Sequence, residues 1–470
     1  MAEPANASDA RERGTKNGAR GQASGLAVWS WALYDFANTI FSVSILSFFF
    51  PVWLGDELGA GADVFNYVVA GSALFVALTA PFFGAVADLK QRRLPFLIGL
   101  TVLAVLFTAG LDLAGGVLAA VALFVAANIA YQSSLVFYDA LLPSVSAGRG
   151  AGKVSGYGTA TGYVGTIFAL VVLTLFVTKQ TYLGVTFGGP EAVRSLLGPL
   201  GGWMDTGDEA SSNAFLPTAV LFLLFSLPTF FFVPDRAVRP PRPVSPVATY
   251  RDVFSTAKNL RTYAGLGTFI AATVLYTDAA NTAVTNMSLY GREVFGMEQA
   301  EIQNLLLFST VFAVVGSLGF GYASDKAGPK KALVGVLMAW LVAIVLAAVA
   351  VAPWMLLLAG PIVGAALGGT WTVSRPMLVA LAPAEKLGEF FGIYNLAGKL
   401  SAVLGPAITA LLLTVFGGLG TAAYRIAIGS LALIIALGLF LLLRVPDVRP
   451  DPNLDEFASE DATGGFDVPE

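Results

Sequence analysis

Long apolar runs separated by short polar segments constrain this chain more than any other feature of its sequence. Crossing about 30 Å of hydrocarbon takes about 20 helical residues. Within the hydrocarbon, a segment that is not part of a closed β-barrel satisfies its backbone hydrogen bonds only as a helix. The runs therefore predict an all-α membrane protein with twelve spanning helices. Their expected bounds are 26–53, 65–87, 95–113, 117–138, 156–178, 213–234, 263–288, 301–323, 332–351, 354–376, 390–416 and 423–445.

Composition agrees with this prediction and excludes several classes of protein. Charged residues make up 12% of the chain, about half the share in soluble domains, which excludes an ordinary water-soluble enzyme. The chain has no Cys and no His, so a thiolate nucleophile, a His-dependent triad and a Cys- or His-ligated metal are excluded. We expect no enzymatic activity and no cofactor. The net charge of −4 argues against a surface that binds nucleic acid.

The distribution of positive charge predicts the topology. An even number of spans places both termini on one side, and most of the 27 Lys and Arg residues fall there, with Arg375 assigned to one of that side's loops. Because cytoplasmic loops are enriched in Lys and Arg, we expect both termini in the cytoplasm and the protein in the plasma membrane. Four basic residues lie on the other side: Lys179, Arg194, Arg292 and Arg425.

The predicted organisation has two six-helix bundles and three polar segments. The segment between spans six and seven is rich in Pro and Arg, as expected of a linker, while the long loop from Lys179 to Ser212 has room for a short amphipathic helix near Glu191–Leu197. The expected parts are a disordered tail 1–24, an N-terminal bundle 25–234, a linker 235–262, a C-terminal bundle 263–446 and an acidic disordered tail 447–470.

Two sequence patterns occur in the same order in both bundles. The pattern D-x-A-N-T runs from Asp35 to Thr39 in span one and from Asp278 to Thr282 in span seven. The pattern Gly-x-x-x-Asp closes spans two and eight. These two repeats, in the same order, predict a parallel duplication of six spans.

The D-x-A-N-T pattern places a polar stripe on each helix. Asp35, Asn38, Thr39 and Ser42 share one helical face, and so do Asp278, Asn281, Thr282 and Thr285. A carboxylate near the bilayer centre costs about 3 kcal/mol even on lenient scales. We therefore expect the stripes to face a polar cavity between the bundles. The alternative is a pair of hydrogen-bonded acids that join helices.

Two further polar patches lie inside the spans. Lys399 lies about 15 Å into span eleven at 1.5 Å per residue, too deep to reach the headgroups by snorkelling, so it should meet an acid or an anionic ligand. Asn395 lies one turn earlier on the same face. Asn128, Tyr131 and Gln132 form the other patch in span four, where hydrogen bonds between packed helices are an equal alternative.

The Gly-x-x-x-Asp pattern suggests a gate at the cytoplasmic ends of the helices. Glycine permits close helix approach, and the acid accepts hydrogen bonds from a neighbouring helix N-terminus or pairs with a nearby cation. Contacts of this kind close one side of a transporter and break when the bundles rock. The predicted gating residues are Gly84, Asp88, Arg92, Arg93, Gly321, Asp325, Lys330 and Lys331.

With these motifs, the chain resembles the major facilitator superfamily and, within it, the vacuole-effluxer family, whose fungal members are associated with amino-acid export from the vacuole. The resemblance depends on Trp31–Asn38, Phe137–Pro143, Gly156–Gly165, Tyr276–Asp278 and Glu389–Pro406. It implies two six-helix bundles and transport of a small solute. Two departures stand out: Asp139 replaces an expected Asn, and the loop after Asp325 is one residue longer before its basic pair than the loop after Asp88.

The leading hypothesis is a secondary transporter that works by alternating access, in which a proton drives amino-acid export by a monomer. Lys399 would receive the substrate carboxylate, while Asp35 or Asp278 would hold its ammonium or carry the coupling proton. Export of drug-like or other small metabolites is the alternative, and a non-transporting sensor or a lipid-moving scaffold would belong to another class. The predicted substrate or proton site comprises Tyr34, Asp35, Asn38, Asn128, Gln132, Tyr276, Asp278, Asn281, Asn395 and Lys399.

Overall fold

The computed structural model describes residues 23–60, 62–177, 179–182, 185–188, 211–235 and 245–448. The helix expected near Glu191–Leu197 and nearly all of both predicted tails lie outside these ranges. The described chain is helical apart from one antiparallel hairpin between β1 (Lys179–Tyr182) and β2 (Val185–Gly188), in which Lys179 lies opposite Gly188. The all-α prediction is confirmed.

Twelve long helices account for most of the described residues, and their bounds agree with the predicted spans to within a few residues at most ends. Ten of them are long and apolar enough to cross a membrane, and the remaining two carry Asp278 and Lys399. Beyond α1 the chain continues through wider π-helical turns as far as Glu57. The helices are α1 Gly25–Phe41, α2 Ala62–Lys90, α3 Leu94–Gly110, α4 Val117–Ala140, α5 Ala151–Val177, α6 Phe215–Phe232, α7 Leu266–Phe295, α8 Gln299–Ala327, α9 Pro329–Val349, α10 Pro353–Leu381, α11 Leu387–Phe416 and α12 Thr421–Leu443.

Local sequence signals set several of these helix ends. Gly296 ends α7 with a φ of 63°, a conformation that glycine adopts without the steric penalty of a Cβ. A capping box between Glu298 and Glu301 then starts α8, because each side chain accepts a hydrogen bond from an otherwise unpaired backbone N–H. Together these signals make a sharp reversal between two antiparallel spans.

Aromatic side chains contribute to the core in both six-helix halves. In the first half, α1–α6, the rings of Phe41 and Tyr131 lie 4.5 Å apart. In the second half, α7–α12, the indole of Trp340 is fully buried and donates to the Thr370 hydroxyl at 3.0 Å, which satisfies the one polar group of that side chain. Many Leu, Val and Phe side chains remain exposed on the outer surface, as lipid-facing helices require.

The predicted linker contains a helix that sequence reasoning missed. Pro246–Lys258, here called the linker helix, begins with the Pro in its first turn, where a missing N–H is harmless. It lies against the end of α2 that carries Lys90. We call this side of the molecule the basic end. The loops 91–93, 147–150 and 383–386 lie there, and so do residues Ala23 and Val448 at the two ends of the described chain.

Candidate functional site

An aspartate at the end of α2 joins the two halves at the basic end. The carboxylate of Asp88 accepts hydrogen bonds from the backbone N–H groups of Gly388 at 2.9 Å and Glu389 at 2.8 Å, in the first turn of α11. Those N–H groups have no partner within their own helix, and the helix dipole favours a negative charge there. Asp88 therefore caps a helix of the opposite half.

The second half returns the same contact. Asp325, near the end of α8, accepts from the backbone N–H groups of Gly152 at 2.7 Å and Lys153 at 2.9 Å, in the first turn of α5. The pairs α2–α11 and α8–α5 thus make equivalent contacts across the interface. We refer to the two arrangements as the aspartate caps.

The glycine of each Gly-x-x-x-Asp pattern lies at a close approach between the two halves. A Cβ on Gly84 would overlap the carbonyl oxygen of Gly388, and a Cβ on Gly321 would come within 2.6 Å of the carbonyl oxygen of Gly152. Side chains at these positions would therefore separate the helices. The pattern spaces a close-contact residue and a capping acid one helical turn apart.

The basic residues after the two patterns behave differently. Arg93 Nη2 lies 3.7 Å from the Asp88 carboxylate, whereas Arg92 is exposed. Lys330 Nζ donates to the carbonyl of Leu443 at 2.9 Å, and Lys331 pairs with Asp447 at 3.6 Å. The second basic pair is therefore directed to the end of α12.

A buried ion cluster also joins the halves. Arg375, in α10, places Nη1 3.1 Å from Asp35 Oδ2 and Nε 2.9 Å from Asp139 Oδ1. Its guanidinium carbon lies 5.9 Å from the Trp31 ring centre and 5.7 Å from that of Tyr138, distances at which a cation is attracted to an aromatic face. We call Asp35, Asp139 and Arg375 the ion cluster.

The assignment of Arg375 to a loop was wrong. Helix α10 runs to Leu381 instead of ending near 376, and Pro376, inside the helix, misplaced the predicted boundary. An unpaired buried charge is expensive, so an arginine within an apolar run signals buried acids elsewhere. Asp139, noted only as a departure from the family pattern, is one of them.

The ion cluster contains one more acid than base. Asn38 supports it, since its amide donates to Asp35 Oδ1 at 2.9 Å. All three charged side chains are mostly buried, and removing one partner of such a network leaves an uncompensated charge. The cluster therefore holds α1 and α4 of the first half against α10 of the second.

Two of the predicted site residues meet across the interface near the middle of the bundle. Lys399 Nζ in α11 donates to Gln132 Oε1 in α4 at 2.8 Å. Among the described residues, no carboxylate forms an ion pair with Lys399. The Asn395 amide donates to the carbonyl of Phe391 in its own helix. A partly buried ammonium that, among the described residues, donates to a neutral amide is well suited to an incoming anionic group.

Asp278 lies in a different environment from Asp35. It is fully buried, and it accepts the backbone N–H of Gly405 in α11 at 2.8 Å, within its own half. Asn281, one turn later, is partly exposed, and its carbonyl accepts from Thr285. The equivalence of the two D-x-A-N-T stripes is therefore absent from the packing.

The two tyrosines explain the difference. Tyr34 lies 3.0 Å from the Ser134 hydroxyl between α1 and α4, and Tyr276 lies 2.8 Å from the Ser374 hydroxyl between α7 and α10. Superposing these contacts matches Asp35 with Thr277, one residue before Asp278. One residue rotates a side chain about 100° around a helix, which turns Asp278 away from the other half.

Other predicted site residues contribute to packing within the first half. The Asn128 amide donates to the Ser72 hydroxyl at 2.7 Å, between α4 and α2. Tyr131 is buried against Phe41. Asn128 and Tyr131 therefore contribute to packing between helices of the first half, which was the alternative for this patch. Of the three patch residues, Gln132 contacts the second half.

A cavity of about 340 Å³ opens at the basic end beneath the linker helix. Neither Asp35, Asp278 nor Lys399 lines it. Its charged lining residues are Asp88, Asp252, Glu385, Lys386 and Glu389. This cavity therefore lies beside the first aspartate cap and not at the ion cluster.

Comparisons with known proteins agree with this geometry. Bacillus subtilis YxiO, described as an uncharacterized MFS-type transporter, is 24% identical over 430 residues, covering 89% of this chain and 94% of that protein. Multidrug resistance protein MdtG of Salmonella paratyphi C is 25% identical over 392 residues, covering 80% and 85%. The structure of the proton:xylose symporter XylE matches with a TM-score of 0.64 at 13% identity, covering 92% of this chain and 99% of that one.

The fold and these relatives define a transporter of the major facilitator superfamily, an integral membrane protein and not an enzyme. Within that superfamily, the chain belongs to the family described as vacuole effluxer Atg22 like, whose model matches residues 148–451.

Proposed function

We propose that the protein is a secondary active transporter that works by alternating access, and that the described state is closed at the basic end. The supporting observation is that both aspartate caps and the ion cluster join the halves on this one side. Because hydrogen bonds of this kind are short-ranged, a small rocking of the halves breaks them together. Breaking them opens a path from the basic end to the centre of the bundle.

The proposed substrate is an amino acid, exported with proton coupling. Lys399 receives its carboxylate, displacing the neutral Gln132 amide, because a charge-assisted hydrogen bond is the stronger of the two. The ion cluster supplies the ammonium site or the proton site, since it has one carboxylate more than it has cations. Asp278, packed inside its own half, has no direct part in this scheme.

The proposed orientation places the basic end in the cytoplasm and the protein in the plasma membrane, in agreement with the excess of Lys and Arg on that side. Export fits the effluxer description of the family. In this orientation the closed basic end faces the cytoplasm.

Reconstituted protein tests the proposal directly. Proteoliposomes under an imposed pH gradient should accumulate labelled amino acids, and dissipating the gradient should stop accumulation. Lys399→Ala should abolish transport while leaving insertion and thermal stability intact, because it removes a charge that forms no ion pair within the described part of the chain. Lys399→Arg is the matched control and should retain measurable transport, since it keeps the cation. Full transport by Lys399→Ala would remove this residue from the mechanism.

A second candidate is export of drug-like organic cations. The similarity to MdtG favours this candidate. In that case Asp35 and Asp139 of the ion cluster would bind the cation. The same vesicles separate the two functions, because a cation exporter should accept substrates without a carboxylate and should tolerate Lys399→Ala.

A further inference from the structure

The linker helix has two contrasting faces. Thr249, Val253 and Thr256 are buried against the bundle. On the opposite face Val247 and Phe254 are 82% and 73% exposed, and Tyr250 is 45% exposed. These three positions are spaced i, i+3 and i+7, so they form one continuous stripe. An apolar stripe that is this exposed among the described residues requires an explanation.

The apolar stripe continues onto the outer surface of a spanning helix. The Tyr250 ring stacks on Phe82 of α2, with ring centres 4.6 Å apart and planes 9° from parallel. One and two turns further into the membrane, Leu78 and Phe75 are largely exposed on the same side of α2. Since α2 crosses the bilayer, this surface faces lipid, and the stripe of the linker helix adjoins it at Phe82, about two turns before α2 ends.

The charges beside the stripe fit the same surroundings. Arg251 and Lys258 are exposed and flank the stripe on the outer side, while Asp252 lies on the inner side and lines the cavity. Basic residues at the edge of an apolar helical face are attracted to anionic headgroups, and aromatic side chains favour the interface. The acidic side of the helix is thus directed away from the expected membrane surface.

The linker helix contacts both halves. It contacts α2 of the first half through Tyr250 and Phe82. On the other side, Lys386 Nζ in the second half donates to Thr256 Oγ1 at 2.9 Å and lies 3.7 Å from Glu389, whose backbone N–H is held by Asp88. The helix therefore bridges the closed interface next to the first aspartate cap.

We infer that the linker helix is an anionic-lipid-binding element: it inserts Val247, Tyr250 and Phe254 into the headgroup region of the membrane, with Arg251 and Lys258 on anionic headgroups. Lipid binding fixes the helix over the basic end and so stabilises the closed interface. This inference depends on the geometry of the linker helix alone and does not require an amino-acid substrate.

Site-specific fluorescence tests the insertion, and the natural absence of Cys makes single labelling clean. The full chain with Phe254→Cys, labelled with bimane, is reconstituted in vesicles with brominated acyl chains. The matched control is Asp252→Cys on the opposite face. Compared with this control, we expect Phe254→Cys to be quenched several-fold more strongly by the brominated lipid and less strongly by aqueous iodide. Tyr250→Cys repeats the measurement at a second position on the stripe.

Equal lipid quenching at the two faces would overturn the inference. Protection of Phe254→Cys that depends on protein concentration, and not on lipid, would indicate a second copy of the chain and would overturn it as well.

Lipid composition tests the electrostatic part. Mixing phosphatidylglycerol into phosphatidylcholine vesicles should strengthen insertion at Phe254→Cys by about fivefold for each basic residue engaged, and added salt should reverse the gain. Arg251→Glu with Lys258→Glu should abolish the dependence on phosphatidylglycerol. A dependence that survives this double substitution would contradict the assigned role of the two basic residues.

Discussion

The two halves of the molecule are alike at their aspartate caps and unlike at their D-x-A-N-T stripes. Asp88 and Asp325 make the same pair of backbone contacts across the interface. Asp35 reaches Arg375 of the other half, whereas Asp278 binds Gly405 of its own. The two aspartate caps are therefore equivalent in the two halves, whereas the stripe aspartates Asp35 and Asp278 make different contacts.

The aspartate caps and the ion cluster differ in the groups that they require. The caps use backbone N–H groups, which every helix start provides. The ion cluster needs a guanidinium and two carboxylates at three particular positions, and the positions equivalent to Asp139 and Arg375 in the other half are occupied by Val379 and Leu135. A contact that depends on backbone groups survives sequence divergence more easily than one that depends on three side chains.

The largest expected effect on closure of the basic end comes from disrupting the ion cluster. Arg375→Ala leaves two buried carboxylates without a cation, which should destabilise the closed state by about 3–5 kcal/mol. A single cysteine at Ser155, fully buried between the halves where its hydroxyl donates to the Thr372 carbonyl, reports opening. We expect its labelling by a water-soluble maleimide to increase about a hundredfold or more.

Adding Asp35→Asn and Asp139→Asn to Arg375→Ala removes the uncompensated charge and should restore most of the protection. If labelling of the Ser155 cysteine is unchanged by Arg375→Ala, the ion cluster does not hold the interface closed.

The caps should give an intermediate and symmetric effect. Gly84→Ala and Gly321→Ala each force a methyl group into a backbone atom of the opposite half, and overpacking of this kind typically costs about 1–3 kcal/mol. Both should speed labelling of the Ser155 cysteine to a similar degree. Gly319→Ala is the matched control on the same helix as Gly321, because a Cβ there meets no atom within 4 Å, and it should leave labelling unchanged.

The smallest effect is expected at the aspartate that faces inward to its own half. In Asp278→Asn the remaining amide oxygen still accepts the Gly405 N–H, so we expect a change of less than about 1 kcal/mol and little change in labelling of the Ser155 cysteine. Asp35→Asn should speed labelling, because it removes a charge paired with Arg375. Equal effects of the two substitutions would show that the halves are functionally equivalent at this level.

Some of the contacts between the halves could be predicted from the sequence. The Gly-x-x-x-Asp spacing identified the residues that meet across the basic end, and the depth of Lys399 identified it as a buried cation. Arg375 was missed because Pro376 and the arginine itself looked like a helix end. The linker helix was missed because the prolines before it are typical of an unstructured linker.

The sequence by itself determined twelve apolar spans, their duplication and the positions of the capping acids, because hydrophobic length and residue spacing are local properties of the chain. Only the tertiary structure decided which half each acid of the two stripes contacts. Aligning the halves by their D-x-A-N-T patterns and aligning them by their tyrosine contacts differ by one residue, which is a rotation of about 100° around the helix. The effect of that rotation depends on which helices lie next to the side chain, and only the tertiary structure gives that.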